Sequence, residues 1–117
     1  MLHKVPQAIR WPAFIQFSGQ AELSYLANES AWVAEAHQHL QTYQPGDRVV
    51  DSVGQLFALK GSGHTAELSP TGEKLTLPEL LPIVRAHAAQ AGLCCTAKLS
   101  AASIGEAVQL LSTLHED

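Results

Sequence analysis

The chain has 117 residues, 46% of them apolar and only 15% charged, with a net charge of -4. That length suits one domain, large enough to bury roughly two-thirds of its unfolded surface without disulfides or a structural metal. Four basic and five acidic residues lie in Met1–Lys60, three and six in Gly61–Asp117; no basic stripe exists to neutralise phosphates, so no nucleic-acid partner is expected. No run of about 18 apolar residues marks a membrane span. The N-terminal MLHKVPQAIRWPAF lacks the apolar centre of a signal peptide. The chain therefore reads as cytoplasmic, with its cysteines reduced, and its low charge leaves neutral surface that suits a homodimer or a protein partner.

Residues 1–10 carry Pro6 and no period, and read as a loose lead-in to a single domain over 11–117. Ala13–Phe17 and Ala21–Leu26, separated by Ser18-Gly19-Gln20, predict a hairpin. In the second run Leu23 and Tyr25 share one face, as period-two alternation requires. Asn28 is placed to cap a helix over Glu29–Leu40, with Trp32, Val33, Ala36 and Leu40 along its apolar stripe. A turn at Tyr43–Asp47 contains Pro45, which prevents continuation of the helix.

Arg48–Asp51 and Gln55–Leu59 predict a second hairpin, with Asp51 closing an Asx-type turn and Gly54 free to take positive φ. After it, Gly61-Ser62-Gly63 reads as a connector, Thr65–Leu68 as a short edge strand and Pro70-Thr71-Gly72 as a turn. Leu75–Leu114 holds the most regular apolar pattern. Thr76-Leu77-Pro78-Glu79 and Ser103-Ile104-Gly105-Glu106 both spell capping boxes. The first opens a helix with the stripe Leu77, Leu80, Leu81, Val84 and Ala88, ended by Gly92. A strand over Leu93–Leu99 follows, then a helix with Ile104, Ala107, Val108, Leu111 and Leu114 inward. The expected fold is α+β, a mostly antiparallel sheet of four to six strands with three helices, in the order β-β-α-β-β-α-β-α, the helices gathered on one face.

Candidate chemistry is sparse. Cys94 and Cys95, adjacent on a strand, point to opposite faces and cannot ligate one metal without distortion. Cys95 belongs to the core face, which leaves Cys94 as the candidate reactive thiol, although Lys98 is too distant to lower its pKa directly. His37 and His39 are two apart on a helix and lack the spacing of a shared ligand face; His3, His64 and His115 fall in irregular segments. No metal site and no cofactor is predicted. Cys94, His87 and Asp51 are the trio from which a thiol nucleophile, base and orienting carboxylate could be drawn, and nothing in their spacing brings them together. Gly61-Ser62-Gly63 lacks the strand, helix and lysine of a phosphate loop. Trp11 and Tyr25 are the candidate binding residues among aromatics that otherwise suit a core.

Trp11-Pro12, ELSYLANESAW at Glu22–Trp32, RVVDSVGQLF at Arg48–Phe57 and GLCCTAKLSAASIGEAVQLL at Gly92–Leu111 resemble a small bacterial protein family of unknown function. The resemblance implies a compact stand-alone cytoplasmic domain and carries over no functional residue. The reading is against an enzyme. It favours a non-catalytic domain acting through protein contact or self-association, at a sheet face opposite the helices or around Trp11. The alternative is a small thiol-dependent enzyme or ligand-binding protein using the Cys94/His87 region.

Overall fold

Two stretches of the chain, Ala13-Phe14-Ile15 and Val49-Val50-Asp51, are buried at three consecutive positions. Successive strand residues face opposite ways, so these strands must be covered on both sides. A computed structural model, which describes residues 8–38, 43–61, 66–92 and 99–114, shows how that is achieved. The described elements are β1 (Ala13–Gln16), β2 (Leu23–Leu26), α1 (Glu29–Gln38), β3 (Arg48–Asp51), β4 (Gln55–Lys60), β5 (Glu67–Lys74), α2 (Leu77–Gln90) and α3 (Ile104–Leu114). All five strands pair antiparallel in one sheet of order β2-β1-β3-β4-β5. The fold is α+β as expected. The predicted strand over Leu93–Leu99 lies, but for Leu99, outside the described residues, and so do Cys94 and Cys95 and the connector's Ser62 and Gly63.

The helices are not gathered on one face, which corrects the sequence reading. Trp32 and Ala36 of α1 pack with Ala13, Ile15, Leu26, Val49, Phe57 and Leu59. Leu80 and Val84 of α2, with Ala107, Val108 and Leu111 of α3, pack with Phe14, Leu23, Val50 and Leu56. The domain is thus three layers, with α1 on one face of the sheet and α2 with α3 on the other. No sheet face opposite the helices is left for a partner.

Local signals explain most of the elements. The Ala31 N–H donates to Asn28 Oδ1 at 2.9 Å, the cap expected for α1. At α2 the Thr76 hydroxyl accepts from the Glu79 N–H while the Glu79 carboxylate accepts from the Thr76 N–H at 2.7 Å, a complete capping box. At α3 half of the box forms: the Glu106 N–H reaches Ser103 Oγ, but the Glu106 carboxylate accepts from Ala102, one residue earlier than the pattern implies. The first hairpin has a wider connection than expected, Phe17 to Glu22, since β1 ends at Gln16 and β2 starts at Leu23.

The edge strand β5 is twice the predicted length, and Pro70-Thr71-Gly72 lies inside it. The register jumps there, from Phe57↔Pro70 to Gln55↔Lys74. Thr71 Oγ1 donates to the Leu56 carbonyl and accepts from the Glu73 N–H, so the turn signal produced a bulge within the strand. A proline and a bulge on an edge strand oppose pairing with a further strand. At the β3–β4 turn Gly54 has φ +86°, and a Cβ there would meet the Leu75 carbonyl oxygen at 2.6 Å. The same glycine's carbonyl accepts from the Leu75 N–H at 2.8 Å, tying the turn to the entry of α2.

Candidate functional site

Three polar side chains are buried among the described residues: Asp47, Asp51 and His87. Each accepts hydrogen bonds from backbone N–H groups that would otherwise lose water without replacement. Asp51, fully buried at the end of β3, accepts four. Its Oδ1 takes the N–H groups of Val53 and Gln55, and its Oδ2 takes the Arg10 N–H at 3.0 Å and the Gln55 side-chain amide at 2.7 Å. The Asx turn was expected from the sequence; the bond to Arg10 was not. It fastens the segment before β1 across the β3–β4 turn, assisted by Ser52, whose N–H and hydroxyl both donate to the Arg10 carbonyl.

Asp47 does the same at the other end of β3. Its carboxylate accepts from the Gln44 N–H and the Ser18 N–H, both at 2.8 Å. The local half was readable, because Gln44-Pro45-Gly46-Asp47 is a turn with aspartate placed to reach back. The contact with Ser18 is 29 residues away in the chain and has no local signal. Next to this turn, Tyr43 stacks on Trp32 with ring centroids 6.4 Å apart. Burial pushes the Tyr43 phenol up to about 12, with the Glu35 and Asp47 carboxylates adding to the shift.

His87, on α2, is 5% exposed, and its Nδ1 accepts the Leu23 N–H at 3.0 Å. A hollow of ≈ 160 Å³ opens beside it, lined by Glu22, His87, Gln90 and Ala91. His87 and Asp51 are not brought together. Leu23 lies opposite Gln16 and Asp51 opposite Ala13, three residues along β1, which is about 10 Å of strand. Cys94 lies outside the described residues. So do the side chains of the other five histidines, and among the described residues no three His, Cys, Asp or Glu side chains are grouped to hold a metal.

Tyr25 is half-buried on the α2–α3 side of the sheet, opposite Phe14. Trp11 is half-buried against the α1 side and precedes a cis peptide bond to Pro12. The one large apolar side chain standing well exposed among the described residues is Val53, at 43%, on the β3–β4 turn. The Arg10–Ser52 bonds set Trp11 and Val53 each one residue from a joined pair, so exposed Arg10, Trp11 and Val53 share one end of the sheet. A larger groove, ≈ 220 Å³ along the outer side of α3, holds one ionisable group, Glu106, which is engaged by the Ala102 N–H.

A three-layer α+β domain in which the buried carboxylates and imidazole of the described residues brace backbone is the class this architecture defines. Residues 11–111 match the family DUF4144, described as a protein structure with unknown function, and the chain belongs to that family. The resemblance seen in the sequence is thereby borne out. The chain is also similar to the NMR structure of the protein from Shewanella amazonensis, with 30% identity and a TM-score of 0.72 over 97% of this chain and 95% of that one. No curated protein matches it. No helix among the described residues is long and apolar enough to cross a membrane.

Proposed function

We propose that this domain works in the cytoplasm through protein contact or self-association, without catalysis, and that the contact is made at the end of the sheet carrying Arg10, Trp11 and Val53. The observation that carries this reading is Val53. It is the exposed large apolar residue, beside a half-buried tryptophan and an exposed arginine, on backbone fixed by Asp51. Tryptophan and arginine are enriched where protein surfaces meet, and a preordered patch loses less entropy on binding. The acidic balance of the chain argues against a nucleic-acid partner.

Sedimentation over a concentration series, with pulldowns in parallel, tests it. Val53→Asp and Arg10→Glu should weaken the self-association or the captured contact by about tenfold or more while leaving the thermal unfolding midpoint nearly unchanged. A chain that stays monomeric at high concentration and captures nothing removes the reading.

A second reading uses the hollow beside His87 for a thiol-dependent or ligand-binding activity with Cys94. The hollow is its support. Against it, a ring whose Nδ1 accepts the Leu23 N–H must break that bond before it can act as a base there. It requires Cys94 to alkylate much faster than a free cysteine at neutral pH, and slow labelling of the native chain would count against it.

A further inference from the structure

We propose that His87 is a proton-sensitive latch holding α2 against the edge strand β2. The inference concerns the fold's response to acid and stands whether or not the Arg10–Trp11 end binds a partner. Leu23 has a single backbone donor, and that donor is directed to His87 Nδ1 at 3.0 Å rather than into the β1–β2 ladder. A backbone N–H can only donate, so Nδ1 must offer its lone pair, and the one proton of the neutral ring sits on Nε2. The imidazolium ion carries protons on both nitrogens. It would set N–H against N–H and leave the Leu23 donor, on a residue 1% exposed, without its acceptor.

Among the described residues, the titratable group lining the hollow beside the ring is Glu22, in the segment before β2. The residues that α3 buries in the same layer, Ala107, Val108 and Leu111, carry no charge. Glu22 is exposed on the rim of the hollow, where solvent and salt screen its attraction for a proton on the ring. The opposing Leu23 N–H is in direct contact. The latch is therefore closed while the ring is neutral and opens on acidification, as the ring takes up a proton. Opening uncovers the outer edge of β2 at Leu23.

Amide hydrogen exchange and ring-nitrogen NMR shifts test the latch on the full chain. Between about pH 7.5 and about pH 5 the protection of the Leu23 amide should fall roughly tenfold relative to His87→Asn, whose side-chain oxygen can accept the same N–H and does not titrate. At neutral pH the ring should be the Nε2–H tautomer. Equal Leu23 protection in both proteins across the range, or a proton on Nδ1 at neutral pH, overturns the proposal. Should His87→Asn fail to fold, the native chain decides alone: the Leu23 amide shift must titrate with the same midpoint as the ring. A Leu23 shift that stays flat while His87 titrates also overturns it.

Discussion

On one face of the sheet a single ten-residue helix covers a core rich in aromatic rings; on the other, helices of 14 and 11 residues cover an almost wholly aliphatic one. One short helix cannot close a five-stranded sheet, and among the described residues irregular chain adds to the cover on the α1 side. Ile9, Tyr43 and Ala66 are buried there without belonging to a helix or strand. Irregular backbone has no ladder of its own, so its donors need side-chain acceptors. The buried carboxylates meet that need: Asp51 holds Arg10 beside Ile9, and Asp47 holds Gln44 beside Tyr43. The other face relies less on carboxylate pins, because α2 and α3 satisfy their own backbones and are capped by Thr76 and Ser103, with His87 bracing the Leu23 N–H. On the α1 face the irregular backbone is secured by buried carboxylates; on the other the helices are secured by caps and the edge strand by a buried imidazole.

Paired truncations set the two faces against each other. Trp32→Ala should cost about 4 kcal/mol and Leu111→Ala about 3 kcal/mol, since both side chains are fully buried and the indole leaves the larger cavity. Urea unfolding of the two variants gives the ranking. A Trp32→Ala variant less damaged than Leu111→Ala would mean that the irregular segments collapse into the cavity, and that the α1 face is softer than its packing indicates.

Asp51→Ala probes the pinning itself and should cost about 2–3 kcal/mol, because it leaves buried donors without an acceptor. The loss should be local. Hydrogen exchange should speed up at Arg10, Val53 and Gln55 well before it does at the buried turns of α2. Equal loss of protection along α2 would show that the two faces unfold as one unit and that the distinction between their anchors has no thermodynamic meaning.

Much of this was legible in the chain. The two hairpins, the three helices, the cap at Asn28, the box at Thr76 and the Asx turn at Asp51 follow from signals within about five residues of one another. The three-layer arrangement was also written there, in the adjacent apolar pairs Phe14-Ile15 and Val49-Val50, which require cover on both faces. The bonds from Asp51 to Arg10, Asp47 to Ser18 and His87 to Leu23 were not legible, because they join residues 41, 29 and 64 positions apart. Of the trio weighed for catalysis, Asp51 and His87 are explained by such contacts. A polar residue with no local partner gives the same sequence signal whether it braces backbone or performs chemistry.

The mildest test bears on the capped face. The Glu79 carboxyl is held below the usual glutamate range, first by the Thr76 backbone N–H and then by the Thr76 hydroxyl. A carboxylate stabilised in the folded state contributes above its unfolded pKa, about 4.3, and the contribution is lost as the pH falls below that value. Thr76→Ala should lower stability by about 1 kcal/mol at neutral pH, as loss of an N-cap does. The difference between native and variant should narrow on acidification, since protonated Glu79 no longer draws the Thr76 hydroxyl proton as strongly. Urea midpoints measured at pH 7 and at about pH 3.5 would show it. A gap that stays constant across that interval would assign the whole effect to the Glu79 N–H that the hydroxyl accepts, and leave the hydroxyl's own bond to the Glu79 carboxylate without a share in holding α2 to its face of the sheet.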